Sequence, residues 1–479
     1  MNKSLLGVLI FFTALDNCFS QTKDTKPGSG KVVARVSRTQ EMYSVIEAGS
    51  TNTPTPKKAD PKSLTDQNLL HENFDQLTAI TAIGKFSPPL ASRIYSYTSL
   101  ASYEAFRFQK PGARSLVKDL KGFPQMPLPD KNRKYDYLLA ATKAFFTVAK
   151  QITLAKDTIT SYEGKVYGAF KNLLRNDIFE NSMQFGELVG NAVLKRASMD
   201  KYDETRARPK LVESQEPGKW RRTPAGYLSA LEPYWGQILP LALDSAAEIK
   251  APLPPPYSLE KNSAFYRAAT EVYEIGVTLT EERKMIAKYW DDNPLVKDSA
   301  DKEFGSKKIT PVAHWIGIAG IACKMKNFSA MEILKTYAIT SVAMHDAIIT
   351  SWSQKYLHNV IRPVTVINEF IDSNWHSFLQ TPPTPEHSSG HSSISAAAAT
   401  ILTYTFGENF AFEDTSDLAY IGMRRRFSSF NSAAQEVSIS RVYGGIHYRT
   451  GIEAGVTQGR AVGEYVIRKL LKASAKQKL

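Results

Sequence analysis

From about residue 63 onward the apolar positions of the chain recur at helical spacing. Ile94, Tyr97, Ala101 and Ala105 form one series, Leu138, Ala141, Phe145 and Val148 a second, Phe185, Leu188 and Ala192 a third. Residues three and four apart share one helix face, so each series predicts a helix that buries that face. A longer stripe starts near Met331 with Leu334, Ala338, Val342, His345, Ile349 and Trp352, and Lys355 continues it. Between Ser392 and Thr405 an alanine-rich run closed by Gly407 follows a Ser/Thr-rich entry, which predicts a helix whose N-terminus lies at Ser389. Convincing alternation of apolar and polar residues is missing, so the expected fold is all-α: a large body of two helix bundles, residues 61–258 and 259–479.

Two stretches break this texture. Residues 201–258 are rich in Pro, Gly and Trp (Gly218-Lys-Trp-Arg-Arg-Thr-Pro224, Pro233-Tyr-Trp-Gly236), the composition of a pocket wall or of a wrap around the bundle. Residues 21–60 are polar and Pro-rich and predict a flexible leader. Before them, Lys3, the apolar run Leu5 to Leu15 and the small residues Cys18 and Ser20 form an export signal cleaved before Gln21, with lipidation at Cys18 as the rival reading. The expected location is therefore periplasmic or secreted. Cleavage would leave Cys323 as the single cysteine, in an apolar run that predicts a buried thiol. No later stretch has the roughly 20 apolar residues of a membrane span.

Charge narrows the chemistry. The chain of 479 residues carries a formal net charge of +13, which favours anionic partners. The charges are scattered, with Lys219 to Arg222 and Arg424 to Arg426 the densest clusters, and no nucleic-acid motif accompanies them.

Three stretches of the last third concentrate anion-binding groups. The first is Lys355-Tyr-Leu-His-Asn-Val-Ile-Arg-Pro363, in which Lys355 and Arg362 stand nearly two helical turns apart and Pro363 frays the helix end. The second is Ser389-Gly390-His391, where a glycine exposes the main chain of a helix N-terminus, a hydroxyl adds a donor and an imidazole can exchange a proton. The third is Ser440-Arg-Val-Tyr-Gly-Gly-Ile-His447, in which Arg441 offers a planar fork and Gly444 and Gly445 allow a turn that returns His447 beside it.

In that order the three motifs closely resemble those of the superfamily of vanadium-dependent haloperoxidases and type 2 phosphatidic acid phosphatases. The resemblance covers about residues 261–470, and the helical first half is similar to that of exported bacterial haloperoxidases. It implies that Lys355, Arg362, Ser389, Gly390, Arg441 and His447 hold a vanadate cofactor, with His447 the protein ligand to the metal. His391 is implied as the acid-base residue, and Lys355 as the group that polarises the peroxide. The implied reaction oxidises iodide or bromide with hydrogen peroxide to hypohalous acid. On the same residues a soluble acid phosphatase would use His447 as nucleophile and His391 as proton donor; a third reading is a non-enzymatic anion binder. No coiled-coil heptads occur, so a monomer is expected.

Two positions depart from the family pattern. Ser388 stands where proline is common, which predicts a looser loop. Gly451 stands where many members carry an aspartate that orients the histidine; Glu453 or a backbone carbonyl is the expected substitute. Trp352 is similar to a tryptophan of iodide-selective members and is expected to wall the pocket with its ring while its indole N–H faces the oxyanion. His387 and Thr384 are candidates to line the halide approach, and Asp346, Asp291 or Asp292 to hold a cation. His71, His314, His358 and His376 receive no role.

Overall fold

The computed structural model describes residues 66–153, 155–295 and 308–472. The expected signal, the leader and Cys18 lie outside the described residues.

The first half is helical, as its periodicity predicts. Helix α1 (Asp66–Ile83) leads to α2 (Pro88–Phe106), then α3 (Tyr137–Ile152), α4 (Lys156–Leu173), α5 (Asn176–Ala197) and the short α6 (Tyr202–Arg206). The start of α2 is set by Ser87, whose side chain accepts from Leu90 N, and by prolines in the first turn, where a missing N–H costs nothing. Every residue of α2 except the partly buried Leu90 is buried, the mark of a helix enclosed on nearly all sides. The stripe expected on α5 is displaced. Leu188 is 50% exposed, whereas Ser182, Gly186, Val189, Gly190 and Val193 are buried. A Cβ at Gly186 would lie 2.3 Å from the Ala140 carbonyl of α3, so the small residues face the neighbour and the leucine faces water.

The second half runs through α7 (Ala264–Val277), α8 (Glu281–Tyr289), α9 (Pro311–Met325), α10 (Ala330–His358), α11 (Pro363–Phe370), α12 (Gly390–Phe406), α13 (Leu418–Ile421), α14 (Phe430–Tyr443) and α15 (Arg449–Val466). A hairpin not expected from the pattern pairs β1 (Phe412–Asp414) with β2 (Arg425–Phe427), Phe412 opposite Phe427. The spine is α10, opened by a Ser329/Glu332 capping box and packed on α2, α9, α12 and α15. One hydrophobic cluster runs from Leu69 to Leu470, so both halves contribute to a common core; it includes Cys323, whose thiol burial pushes up to about 12.

Against α12 lies α15, and glycines bring them together. A Cβ at Gly455 would sit 2.5 Å from the Ser389 carbonyl, and one at Gly459 2.0 Å from that of Ser393. The Pro/Trp-rich segment wraps this end of the bundle. Trp220 N–H donates to Asn359 O, Ile361 N–H to Gly218 O and Leu231 N–H to Pro383 O. Asp346 is not a cation holder: its carboxylate accepts the N–H groups of Leu241, Ala242 and Leu243 and so ties the segment to α10.

Candidate functional site

The first stretch is built differently from a continuous helix. Lys355 is on the last turn of α10, which ends at His358; Asn359 then takes a left-handed conformation, φ 52°, and Arg362 becomes the residue that caps α11. The two cations are therefore brought together across a chain reversal rather than along one helix face. Both are buried. Lys355 Nζ donates to the carbonyls of Pro385 (3.0 Å) and Glu386 (3.1 Å). The Arg362 fork donates to Thr384 O, Thr384 Oγ1 and Ile446 O, and its Nη1 is 3.1 Å from His447 Nε2. Thr384 thus anchors an arginine.

At the second stretch the predicted helix start is observed. Ser389 caps α12, its Oγ accepting from Ser392 N, and its own N–H donates to Gly451 O at 3.0 Å. Gly390 is needed for close approach: a Cβ there would meet the Trp352 ring at 2.8 Å and Lys355 Cε at 3.9 Å. Trp352 accordingly walls the cradle, and Lys355 Nζ is 5.8 Å from its ring. Its indole N–H, however, donates to Leu231 O of the wrapping segment (3.3 Å) and is not directed at an oxyanion. Ser388 does not loosen the loop, because its Oγ donates to Gln458 (2.9 Å) and its carbonyl accepts from Ser351. His387 is pinned to Pro252 O at 2.9 Å. His391 lies in the first turn of α12, and its Nε2 is covered yet has no hydrogen-bond partner.

The third stretch ends α14 at Tyr443. Gly445 at φ 74° turns the chain back, and His447 follows, buried. Arg441 is tied down by the carbonyls of Trp290 and Asp291 and by Ser440 Oγ; Asp291 serves through its main chain, its carboxylate being paired with Lys308.

The residue that orients His447 was not foreseen. Glu386 Oε1 accepts from His447 Nδ1 at 2.7 Å and from Tyr448 N at 3.2 Å. A Cβ at Gly451 would lie 2.0 Å from that same oxygen. The carboxylate missing from α15 is thus supplied by the loop before the cradle, and Gly451 is the space it occupies. Glu453 is exposed and plays no such part. The signal was Glu386 itself, an acid three residues before the second motif.

These groups share one field. Burial first, then Arg362, Lys355, Arg441 and His391, hold His447 well below the ordinary imidazole range. Burial and then Arg441 hold His391 down, with Lys355 and Arg362 adding to it. Lys355 is lowered well below an ordinary amine by burial and then Arg362, and burial lowers Arg362 to about 10. Glu386 is pushed up to about 7 by burial, against the pull of Arg362 and Lys355. With Nδ1–H given to Glu386, the neutral His447 turns its Nε2 lone pair toward Arg362. A lone pair among three buried cations beside a helix N-terminus suits an oxyanion whose central atom accepts a nitrogen ligand.

Residues 335–475 match the family model of the VCPO second helical-bundle domain. A crystal structure described as the first bacterial vanadium-dependent iodoperoxidase superposes with a TM-score of 0.80 at 42% identity, covering 84% of this chain and 96% of that one. A holo-type bacterial vanadium-dependent chloroperoxidase gives 0.64 at 16% identity, over 84% and 97% of the two chains. Its apo-type counterpart gives 0.62 at 15%, over 82% and 95%. These two share the fold. A search of curated proteins returned no match. With 42% of residues identical over nearly the whole of the iodoperoxidase, the chain belongs to the vanadium-dependent haloperoxidase family.

Proposed function

We propose that this protein uses vanadate to oxidise halide, iodide or bromide, with hydrogen peroxide, releasing hypohalous acid. The observation that carries the proposal is His447: a neutral imidazole, oriented through Nδ1 by Glu386, with its Nε2 lone pair turned into a group of three cations. The donor set fits vanadate: one nitrogen for the metal, Lys355, Arg362 and Arg441 for oxygens, and the Ser389 hydroxyl and α12 main chain beside Gly390 for the rest. His391, whose buried Nε2 is unpartnered, would add a proton-exchanging group to the set. When bound there, vanadate supplies a Lewis acid that remains fully oxidised and activates peroxide toward halide.

The remaining work falls to the chain. His391, neutral in this field, takes the proton of an incoming peroxide and returns it later. Lys355 donates to peroxide oxygen, and the Trp352 ring shields that side from water. The named activity of the 42% identical relative supports iodide. The phosphatase alternative is not favoured by these relatives. The reading also takes residues 1–20 as an export signal and a monomer as the working unit, supported by the apolar run Leu5 to Leu15 and by the lack of heptads.

The test is to load the protein with orthovanadate, assay iodide and bromide oxidation by hydrogen peroxide, and assay hydrolysis of a chromogenic phosphate ester without vanadate. Halide oxidation that depends on vanadate is expected; ester hydrolysis with no halide oxidation overturns the proposal.

A further inference from the structure

The carbonyls of Trp290 and Asp291 that hold Arg441 lead directly into a second buried cluster, of opposite charge. Asp292, Asp414 and Asp417 surround His314, each of the four between 0% and 4% exposed. His314 Nε2 is 2.8 Å from Asp414 Oδ2. Its Nδ1 is 3.0 Å from Asp292 Oδ1, 3.1 Å from Asp292 Oδ2 and 3.5 Å from Asp417 Oδ2. Trp290 stacks on the imidazole at 4.5 Å and closes one face.

We infer that Asp292, His314 and Asp417 form a binding site for one divalent transition-metal cation of the zinc class. Each offers a ligand atom, and these atoms lie within 4.8 Å of one another. Asp414 stands as the outer partner. Its Oδ1 accepts from Ser416 N at 3.0 Å, so its Oδ2 is the atom that takes the His314 Nε2–H. With Nε2–H committed to Asp414, loss of the second ring proton on metal binding would leave the lone pair on Nδ1, facing Asp292 and Asp417, the usual arrangement of a metal-bound histidine. Independently, Asp417 Oδ1 is buried without any hydrogen-bond partner, on the carboxylate whose other oxygen faces His314 Nδ1.

Charge supports the same conclusion. Three buried carboxyl groups crowd one imidazole, and burial, then Asp292 and Asp414, raise Asp417 well above the ordinary carboxylate range against the pull of His314. The empty site relieves its charge by keeping protons that a bound cation would displace. Lys308 pairs with Asp291, and Arg441 bonds the Asp291 main chain while its charge also acts on Asp292. One nitrogen with carboxylate oxygens is a ligand set for zinc or manganese; calcium prefers six to eight oxygens, about twice the ligands gathered here. The bound ion would tie the end of α8 to α9 and to the β1–α13 corner, and so fix the carbonyls on which Arg441 rests.

The test uses full-length protein without vanadate, stripped with EDTA, then equilibrated with Zn2+ and washed. Elemental analysis should find about one retained equivalent, and melting should shift upward by at least about 5 °C relative to the stripped form. Asp417→Asn should weaken zinc binding by about 10- to 100-fold, whereas His447→Ala, which removes a possible ligand elsewhere, should leave retention unchanged. Should Asp417→Asn fail to fold, Asp292→Asn and the wild-type melting shift carry the decision. Wild-type protein that retains no zinc and melts unchanged, or a folded Asp417→Asn that retains it equally, overturns the site and leaves a proton-sharing imidazole box.

Discussion

Arg441 acts on His447 by its charge and bonds the carbonyl of Trp290, whose ring stacks on His314. Both histidines are buried and bonded to carboxylate, yet their surroundings drive them in opposite directions. His447 has one carboxylate, Glu386, and faces Arg362, Lys355 and Arg441; burial and those cations keep it neutral. His314 has three carboxylates, and although burial opposes it, they raise it well above the ordinary imidazole value. His345 extends the series: with no carboxylate partner, and Ser92 Oγ on its Nδ1, burial and then Arg93 and Arg196 lower it to about 3. One residue type thus serves as lone-pair donor, cation centre or inert core group, according to the charges packed around it.

The comparison breaks most completely at His447. His447→Ala should abolish vanadate binding by calorimetry and lower halide oxidation on the order of 1,000-fold or more. His391→Ala should keep vanadate and lower turnover about 100- to 10,000-fold; equal loss of binding would mean that His391 holds the vanadate rather than moving a proton. Glu386→Ala should weaken vanadate binding about 10- to 100-fold. Gly451→Asp alone should be worse than neutral, since its side chain meets the Glu386 carboxylate. Combining the two should recover most of the affinity, and a double variant no better than Glu386→Ala would show that the carboxylate does not orient His447.

The smallest effect concerns His345. Its folded pKa of about 3 lies below the unfolded 6.5, so its contribution to stability is fully present above pH 6.5 and is lost as pH falls. Between pH 7 and 5 the stability gap between wild type and His345→Gln should shrink by about 2 kcal/mol. A gap independent of pH, measured by urea unfolding, would remove His345 from the series.

Much of the site was legible because its parts are local. The cap at Ser389, the glycine at 390 and the stripe of α10 follow from residues within a few positions of one another. Glu386 escaped because its partner is 61 residues away, and nothing periodic in a loop marks which side chain turns inward. Lys355 and Arg362 act on each other through another geometry than the expected one: a left-handed Asn359, not a helix face, brings them together. The α5 face was only partly legible: spacing groups Leu188 with the buried Phe185, but close helix contact selects glycine, and spacing of apolar residues does not count glycines. Strands of three residues are too short for alternation to reveal, so the hairpin that delivers Asp414 was invisible.

The glycine row of α15 has a consequence for how such a catalyst can diversify. Because Gly455 and Gly459 press main chain on main chain, the shelf under the oxyanion has no side chains through which its height can be tuned. Even one added methyl would meet a carbonyl of the helix that carries His391 and force the two helices to shift. New halide tastes must therefore be acquired from Trp352 and the Pro/Trp-rich wrapping, while the floor beneath stays fixed.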